Sequence, residues 1–399
     1  MKAVIIGASG EALHTIEKAH ENGLEVTALD GNPKAVALRA ADKALIVDIS
    51  DEKATIEAVR QEKPDFVLTV PIGRYLTTIG AVNDALKLPG ISREMAVLCT
   101  DKFAFHKRLA GRGLRRCHCY AVEAQLVTDV EGREFQREDI GTDRLPLIFP
   151  AILKPRYGSG SRGIHFISDR QELSEALAQI EGEPYVIEEC VDGEEYGVDG
   201  AVIQGKFQMI LLRRKENTPP PARQAVGYFS VLPSDKFRQQ VYEHMQQVIT
   251  ELGLEECLLH ADIIKSAQGP FVIELSARPS GHNLHNLFTP LCTGVDMAEE
   301  YIRYRMGKSC NFSPAYTKSM LIHYFDMQGK VNHVPGIEEV QQISEAKILA
   351  WKCSLRKGEE LPPVSDGHSL MGRGYFVLEG EGQEFLRKQA RKINQLFSS

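Results

Sequence analysis

Pro150-Ala151-Ile152-Leu153-Lys154-Pro155-Arg156-Tyr157-Gly158-Ser159-Gly160-Ser161-Arg162-Gly163 reads as an apolar strand that ends in a lysine and enters a glycine–serine loop. About 110 residues later, Phe271-Val272-Ile273-Glu274-Leu275-Ser276-Ala277-Arg278-Pro279 is a second apolar strand, ending in a carboxylate, a hydroxyl and an arginine. Glycine admits positive φ, so the N–H groups of Ser159, Gly160, Ser161 and Gly163 can turn toward phosphate oxygens. Glu274, Ser276 and Arg278 fall on every second residue and therefore share one strand face. Cations and amides for phosphates, with hard oxygen ligands for a divalent cation, are the parts of a Mg·ATP site. The pairing points to phosphoryl transfer.

Asp262 lies in the run Leu258-Leu259-His260-Ala261-Asp262-Ile263-Ile264. An acid in such a strand is costly to bury unless it is paired or bound to metal. A turn over 266–270 joins this run to the strand of Glu274, which makes the two carboxylates neighbours. Like charges held close favour a divalent cation between them, so Asp262, Glu274 and Ser276 are the candidate metal ligands. Arg278 is positioned to neutralise a transferring phosphoryl group. Between loop and metal strand, Val186-Ile187-Glu188-Glu189-Cys190-Val191-Asp192-Gly193-Glu194-Glu195 runs from a buried strand into an acidic, hinge-like turn. The backbone around Glu188, Glu189 and Val191 can address an adenine edge, and a carboxylate seven residues past Glu188, Glu195, can accept from ribose hydroxyls.

The rest of the composition excludes other classes. A chain of 399 residues has material for two or three domains, and 43% hydrophobic with 25% charged residues is ordinary for a globular protein. A net charge of −7 without a basic stripe argues against nucleic acid. Arg112, Arg115 and Arg116 read as a solvated helix end. No apolar run approaches the ~20 residues of a membrane span, and the first strand is too short for a signal-peptide core. Eight scattered cysteines do not form a disulfide framework, and Cys117-His118-Cys119 lacks a second ligand pair at zinc spacing. A cytoplasmic protein with reduced thiols is expected.

Along the first ~95 residues, strands at 2–6, 25–29, 44–47 and 66–70 alternate with helices at 11–21, 51–61 and 77–86. That is the pattern of a parallel sheet covered on both faces. Gly7-Ala8-Ser9-Gly10 and Asp30 invite a dinucleotide reading, but the GxGxxG pattern fails at Ser9 and Ala12. A helix opens at Thr100-Asp101-Lys102, and 131–144 reads as a charged, solvent-exposed insertion. Further strands are expected at 164–167, 185–189, 197–203, 206–212 and 258–265, with helices at 171–180, 235–252 and 294–306. From residue 319 a smaller mixed module follows, with strands at 320–324, 346–351 and 374–379 and a last helix at 382–397.

Together these elements resemble the ATP-grasp superfamily of carboxylate–amine ligases, with amino-acid ligase-like and phosphoribosylglycinamide synthetase-like members, over nearly the whole chain. The resemblance implies a pre-ATP-grasp Rossmann-like α/β domain at 1–98, an α+β ATP-grasp domain at 99–308 with a lid near 118–188, and a small C-terminal α+β domain at 309–399. It makes Lys102 and Lys154 the nucleotide lysines, Glu188 to Val191 the adenine hinge, Glu195 the ribose acid, and Asp262 and Glu274 the metal acids. Gly294-Val295-Asp296 and Gly372-Arg373-Gly374-Tyr375 also resemble the amino-acid ligase-like members. Many relatives carry asparagine where this chain has Ser276.

The implied reaction uses ATP with Mg2+ or Mn2+. A small-molecule carboxylate becomes an acyl phosphate and an amine displaces phosphate, with Arg278 and Lys154 as catalytic cations and no nucleic acid or membrane involved. Arg213, Arg214, His282 and Asn283 are expected to line the substrate site, and the family habit leaves room for a homodimer. Two alternatives stay open: a carboxylase or formate-using transferase of the purine-biosynthesis type, and a non-catalytic nucleotide-binding regulator.

Overall fold

The computed structural model describes residues 1–158, 163–180, 182–219, 223–364 and 367–398. Ser159, Gly160, Ser161 and Arg162 of the glycine–serine loop, and Pro220 and Pro221 of the run Thr218-Pro219-Pro220-Pro221, lie outside the described residues.

The first sheet is parallel, in the order Lys43–Ile46, Glu25–Asp30, Lys2–Ile6, Phe66–Leu68. Val4, Ile5 and Ile6 are at most 1% exposed, because the helices Leu13–Glu21, Glu52–Glu62 and Leu76–Leu86 leave the central strand no solvated face. Asp30 accepts from Ala8 N–H and Asn32 N–H, each at 2.8 Å, so its carboxylate closes its own turn.

A second, antiparallel sheet runs in the order Glu134–Gln136, Leu126–Thr128, Cys119–Glu123, Tyr185–Glu189, Ala151–Pro155, His165–Ile167. Part of the stretch expected to be a solvent-exposed insertion is therefore the edge of this sheet. The carboxylate of Asp129 gathers Glu131 N–H at 3.0 Å, Arg133 N–H at 2.8 Å and Arg133 Nε at 2.6 Å, tightening the turn that returns the chain as Glu134–Gln136. Ile140 and Leu145 then pack in the core with Tyr120 and Leu153 while the charged residues stay outside.

The third sheet is antiparallel, with eight strands in the order Gly269–Ser276, Glu256–Ser266, Glu194–Ile203, Lys206–Asn217, Ala225–Ser230, Met320–Tyr324, Gly374–Glu379, Lys347–Cys353. One hydrogen-bonded sheet therefore crosses residue 308, with Gly227, Tyr228 and Phe229 registered on His323, Ile322 and Leu321. The helix Lys236–Leu252 packs on the sheet through Phe237, Val241, Met245, Val248, Ile249 and Leu252, a helical repeat of apolar positions. These side chains share one core with Val4 and Ile6 of the first sheet and Leu259 and Val272 of the third.

Gly193 separates the last strand of the second sheet from the strand Glu194–Ile203. Its φ is +150°, and a Cβ there would meet Lys265 O at 2.3 Å, so only glycine fits this junction. Among the described residues no helix is long and apolar enough to cross a membrane.

Candidate active site

The strands Glu256–Ser266 and Gly269–Ser276 set Asp262 directly opposite Glu274, and His260 opposite Ser276. Cross-strand partners share a face, and Gly197, opposite both Asp262 and Arg213, carries that face onto the next two strands. Alternation then places Glu195 and Lys215 on the same face and Glu194 and Arg214 on the other.

Lys215 Nζ lies 2.7 Å from Asp262 Oδ2. His260 Nε2 is 3.5 Å from Asp262 Oδ1, and that oxygen is buried with no hydrogen-bond partner among the described residues. Burial works to raise the Asp262 pKa, but Lys215 and His260 outweigh it and hold the carboxyl well below the usual carboxylate range. An orphaned anionic oxygen facing a second carboxylate, with a hydroxyl on the same face, is a donor set that fits a hard divalent cation.

Lys102 opens the helix Lys102–Ala110, whose N-cap Asp101 accepts from Phe103 N–H at 3.0 Å and Ala104 N–H at 3.1 Å. Arg156 grips the same carboxylate with Nε at 2.8 Å and Nη2 at 2.7 Å. Lys102 Nζ donates to Gly158 O at 2.8 Å, at the start of the glycine–serine loop. Burial lowers its pKa, and the field of Glu274 opposes that shift. A cavity opens between Arg74, Lys102, Gly158, Glu274, Ser276 and Arg278. Arg278 gives Nη1 to Pro279 O at 2.7 Å; burial lowers its pKa while Glu274 and Asp262 hold it up.

Lys154 Nζ donates to Glu188 Oε1, and Arg115 Nη2 lies 2.7 Å from Glu188 Oε2. Burial pushes the Glu188 pKa up, yet the two cations prevail and bring it to about 2. Arg115 also donates to Ile273 O at 3.1 Å and lies 4.9 Å from the centre of the Phe271 ring, tying the second sheet to the strand Gly269–Ser276. Arg115 is only 3% exposed, so the expected solvated helix end is corrected at this residue. Its burial depends on Glu188, far away in sequence. His106, Cys119 and Glu188 also offer ligand atoms within 4.8 Å of one another. Burial, reinforced by Arg115, takes His106 to about 3, and with both Glu188 oxygens paired this group is a poor cation site.

Glu189 turns its side chain to His118 N–H at 3.1 Å and Ile148 N–H at 3.2 Å. Val191 lies in the junction before Gly193, and Gly163, at φ +67°, lies beside Pro155. Glu195 Oε1 is 3.9 Å from Arg223 Nη2.

Arg213 and Arg214 are not brought to this cavity. Arg213 is 0% exposed and holds both oxygens of Asp199, which also accepts from Thr289 Oγ1 at 2.8 Å and Ser280 Oγ at 3.1 Å. Arg214, on the opposite face, pairs with Glu194 and donates to Gln383 Oε1 at 3.0 Å. His282 and Asn283 take left-handed conformations, φ 61° and 56°, just before the π-helical turn Leu284–Phe288. Sequence reasoning did not assign Lys215, Asp199, His260 or Glu11. Asp199 lies in an apolar run like that of Asp262, and the same argument from burial would have marked it.

The fold and this face define an ATP-grasp architecture. Residues 147–285 match the ATP-grasp domain family. An uncharacterized protein of Sinorhizobium fredii, y4rH, is 27% identical over 76% of this chain and 61% of its own length. A formate-dependent phosphoribosylglycinamide formyltransferase of Prochlorococcus marinus is 24% identical over 45% of this chain and 44% of its own length. The chain thus spans less than two thirds of either curated relative. The crystal structure of an L-amino acid ligase from Bacillus licheniformis superposes with a TM-score of 0.77 at 20% identity, covering 98% of this chain and 97% of that one.

Proposed function

We propose that the protein is an ATP-dependent carboxylate–amine ligase. The observation that carries this reading is the opposed pair Asp262 and Glu274 on a strand face that opens into a cavity with Lys102 and Arg278. In this reading Asp262, Glu274 and Ser276 hold Mg2+, which supplies charge neutralisation between the ATP phosphates. Lys102 and Lys154 hold phosphate oxygens. The Glu188–Val191 backbone takes the adenine edge and Glu195 the ribose. The substrate carboxylate oxygen attacks the γ-phosphorus as the bond to ADP breaks, and Arg278 faces the charge that develops. An amine nitrogen then forms a bond to the acyl carbon and phosphate leaves. His282 and Asn283 border the substrate, whereas Arg213 supports the site from beneath. A small dimer-forming, cytoplasmic enzyme is consistent with this reading.

The likeness to the formyltransferase supports a second reading, activation of formate or bicarbonate. The test is ADP and phosphate release from Mg·ATP against amino acids, small carboxylates, formate and bicarbonate, singly and with amines. Release that requires one carboxylate and one amine is expected. Release with formate or bicarbonate alone selects the second reading, and ATP binding without release under any pair makes the protein a nucleotide-binding regulator.

A further inference from the structure

The turn Gly7-Ala8-Ser9-Gly10, which fails as a dinucleotide motif, has another use. Gly7 sits at φ +96°, and a Cβ there would stand 2.8 Å from Ile72 Cδ1. Only a residue without a side chain lets Ile72 seat against the end of the first strand. Ile72 thereby fixes the start of the segment Gly73-Arg74-Tyr75, which leads into the helix Leu76–Leu86. Thr77 N–H and Thr77 Oγ1 donate to Arg74 O at 3.3 Å and 3.1 Å, and Leu76 N–H donates to Gly73 O at 3.2 Å. The backbone at Arg74 is held from both sides.

The Arg74 side chain is exposed, and its guanidinium carbon lies 5.4 Å from the centre of the Tyr75 ring. That ring packs against the core shared by the first and third sheets. An arginine stacked on an anchored ring loses little freedom when it binds. Among the described residues no carboxylate pairs with Arg74. Arg74 lines the same cavity as Lys102, Glu274 and Arg278, and Ile72 and Gly73 line it too. Three cations there meet two acids, Asp101 and Glu274. Asp101 is already closed by Arg156 and by the helix that it caps, and Glu274 is registered on Asp262. With Lys102 assigned to phosphate and Arg278 to the transferring group, Arg74 is the cation left over. Its planar fork fits a carboxylate or a phosphate through two parallel hydrogen bonds.

We propose that Arg74 binds a second anionic group on the carboxylate substrate, an assignment of specificity that rests on the ligase reading above. The acid activated here is then doubly charged. One carboxylate receives the phosphoryl group, while a second carboxylate or a phosphate ester stays unreacted in the grip of Arg74. Arg74 selects the acid and takes no part in phosphoryl transfer.

The test measures hydroxamate formation from Mg·ATP, hydroxylamine and matched acids: succinate against succinamate, L-glutamate against L-glutamine, and O-phospho-L-serine against L-serine. Wild type is expected to favour the anionic member of at least one pair by about 10-fold or more in kcat/KM, and the pair it favours tells a carboxylate from a phosphate as the second anion. Arg74→Gln is expected to raise KM for that acid by about 30-fold, the size of a lost charge-assisted hydrogen bond. KM for the neutral counterpart should change much less, and KM for ATP should stay as in wild type. Arg74→Lys, which keeps the charge and loses the fork, is expected to fall between wild type and Arg74→Gln. A wild-type preference for the neutral members overturns the assignment while the ligase reading stands. So does an equal effect of Arg74→Gln on both members of a pair, or an effect on KM for ATP in their place. Failure of wild type to form a hydroxamate with any carboxylate removes the ligase reading, and this assignment with it.

Discussion

Glu188 and Asp262 are both carboxylates beside cations, Glu188 buried in the second sheet and Asp262 half-buried in the third. Lys154 and Arg115 take one oxygen each of Glu188, and the group is closed. Lys215 takes only Oδ2 of Asp262; Oδ1, 3.5 Å from His260 Nε2, has no hydrogen bond among the described residues. Paired charge of the first kind gives a strut, which ties the second sheet to the strand of Ile273 through Arg115. The second kind, with the same chemistry, keeps one carboxylate oxygen free of hydrogen bonds among the described residues, which is what the metal reading requires. Burial alone does not separate structure from function; unfilled coordination does.

The comparison breaks most sharply at Glu274. Glu274→Gln is expected to lower substrate-dependent ADP release by about 1000-fold or more, with a melting temperature near that of wild type. Wild-type turnover in that variant would sink the metal assignment. Glu188→Gln should do the reverse in kind, costing about 3–5 kcal/mol of stability in urea unfolding because Lys154 and Arg115 are left buried without their anion. A cost under about 1 kcal/mol would mean that the strut carries no load.

Acid titration sharpens the same point. The folded Glu188 pKa, about 2, lies below its ordinary 4.5, so its contribution is fully present above 4.5 and is lost as pH falls toward 2. Stability of wild type should fall through that window, and the Glu188→Gln variant should show a flatter profile there; parallel profiles would refute the linkage. The smallest effect is expected at Ser276. Ser276→Ala should raise the Mg2+ concentration for half-maximal ADP release by no more than about 10-fold, as for loss of one neutral ligand oxygen. A loss matching that of Glu274→Gln would make the hydroxyl an obligatory ligand.

How far the sequence could be read follows from the same distinction. Strands ending in Lys154 and Glu274, and the short turn that sets Asp262 against Glu274, are local features, and they carried the fold class and the pairing of the two carboxylates. Alternation also contained the split between Arg213 and Arg214, but not the identity of the Arg213 partner, because Asp199 is reached only once two strands pair. Arg115 looked solvated for a similar reason: its anion and its aromatic platform come from two distant elements. The edge strand Glu134–Gln136 was hidden by charged residues that face outward while Ile140 and Leu145 anchor the segment behind it. Short-range periodicity reports faces, whereas partners belong to topology.

The eight-stranded sheet has a consequence for biosynthesis. As the chain leaves the ribosome, Ala225–Ser230 emerges long before Met320–Tyr324, the strand that completes its pairing. Until Met320–Tyr324 is translated, Val226 and Phe229, both at most 2% exposed in the finished fold, border an open backbone edge. The nascent protein therefore carries its greatest risk of misassociation late in synthesis, with most of the nucleotide-binding portion already made, and a ribosome-associated chaperone that shields extended apolar segments would act in that interval.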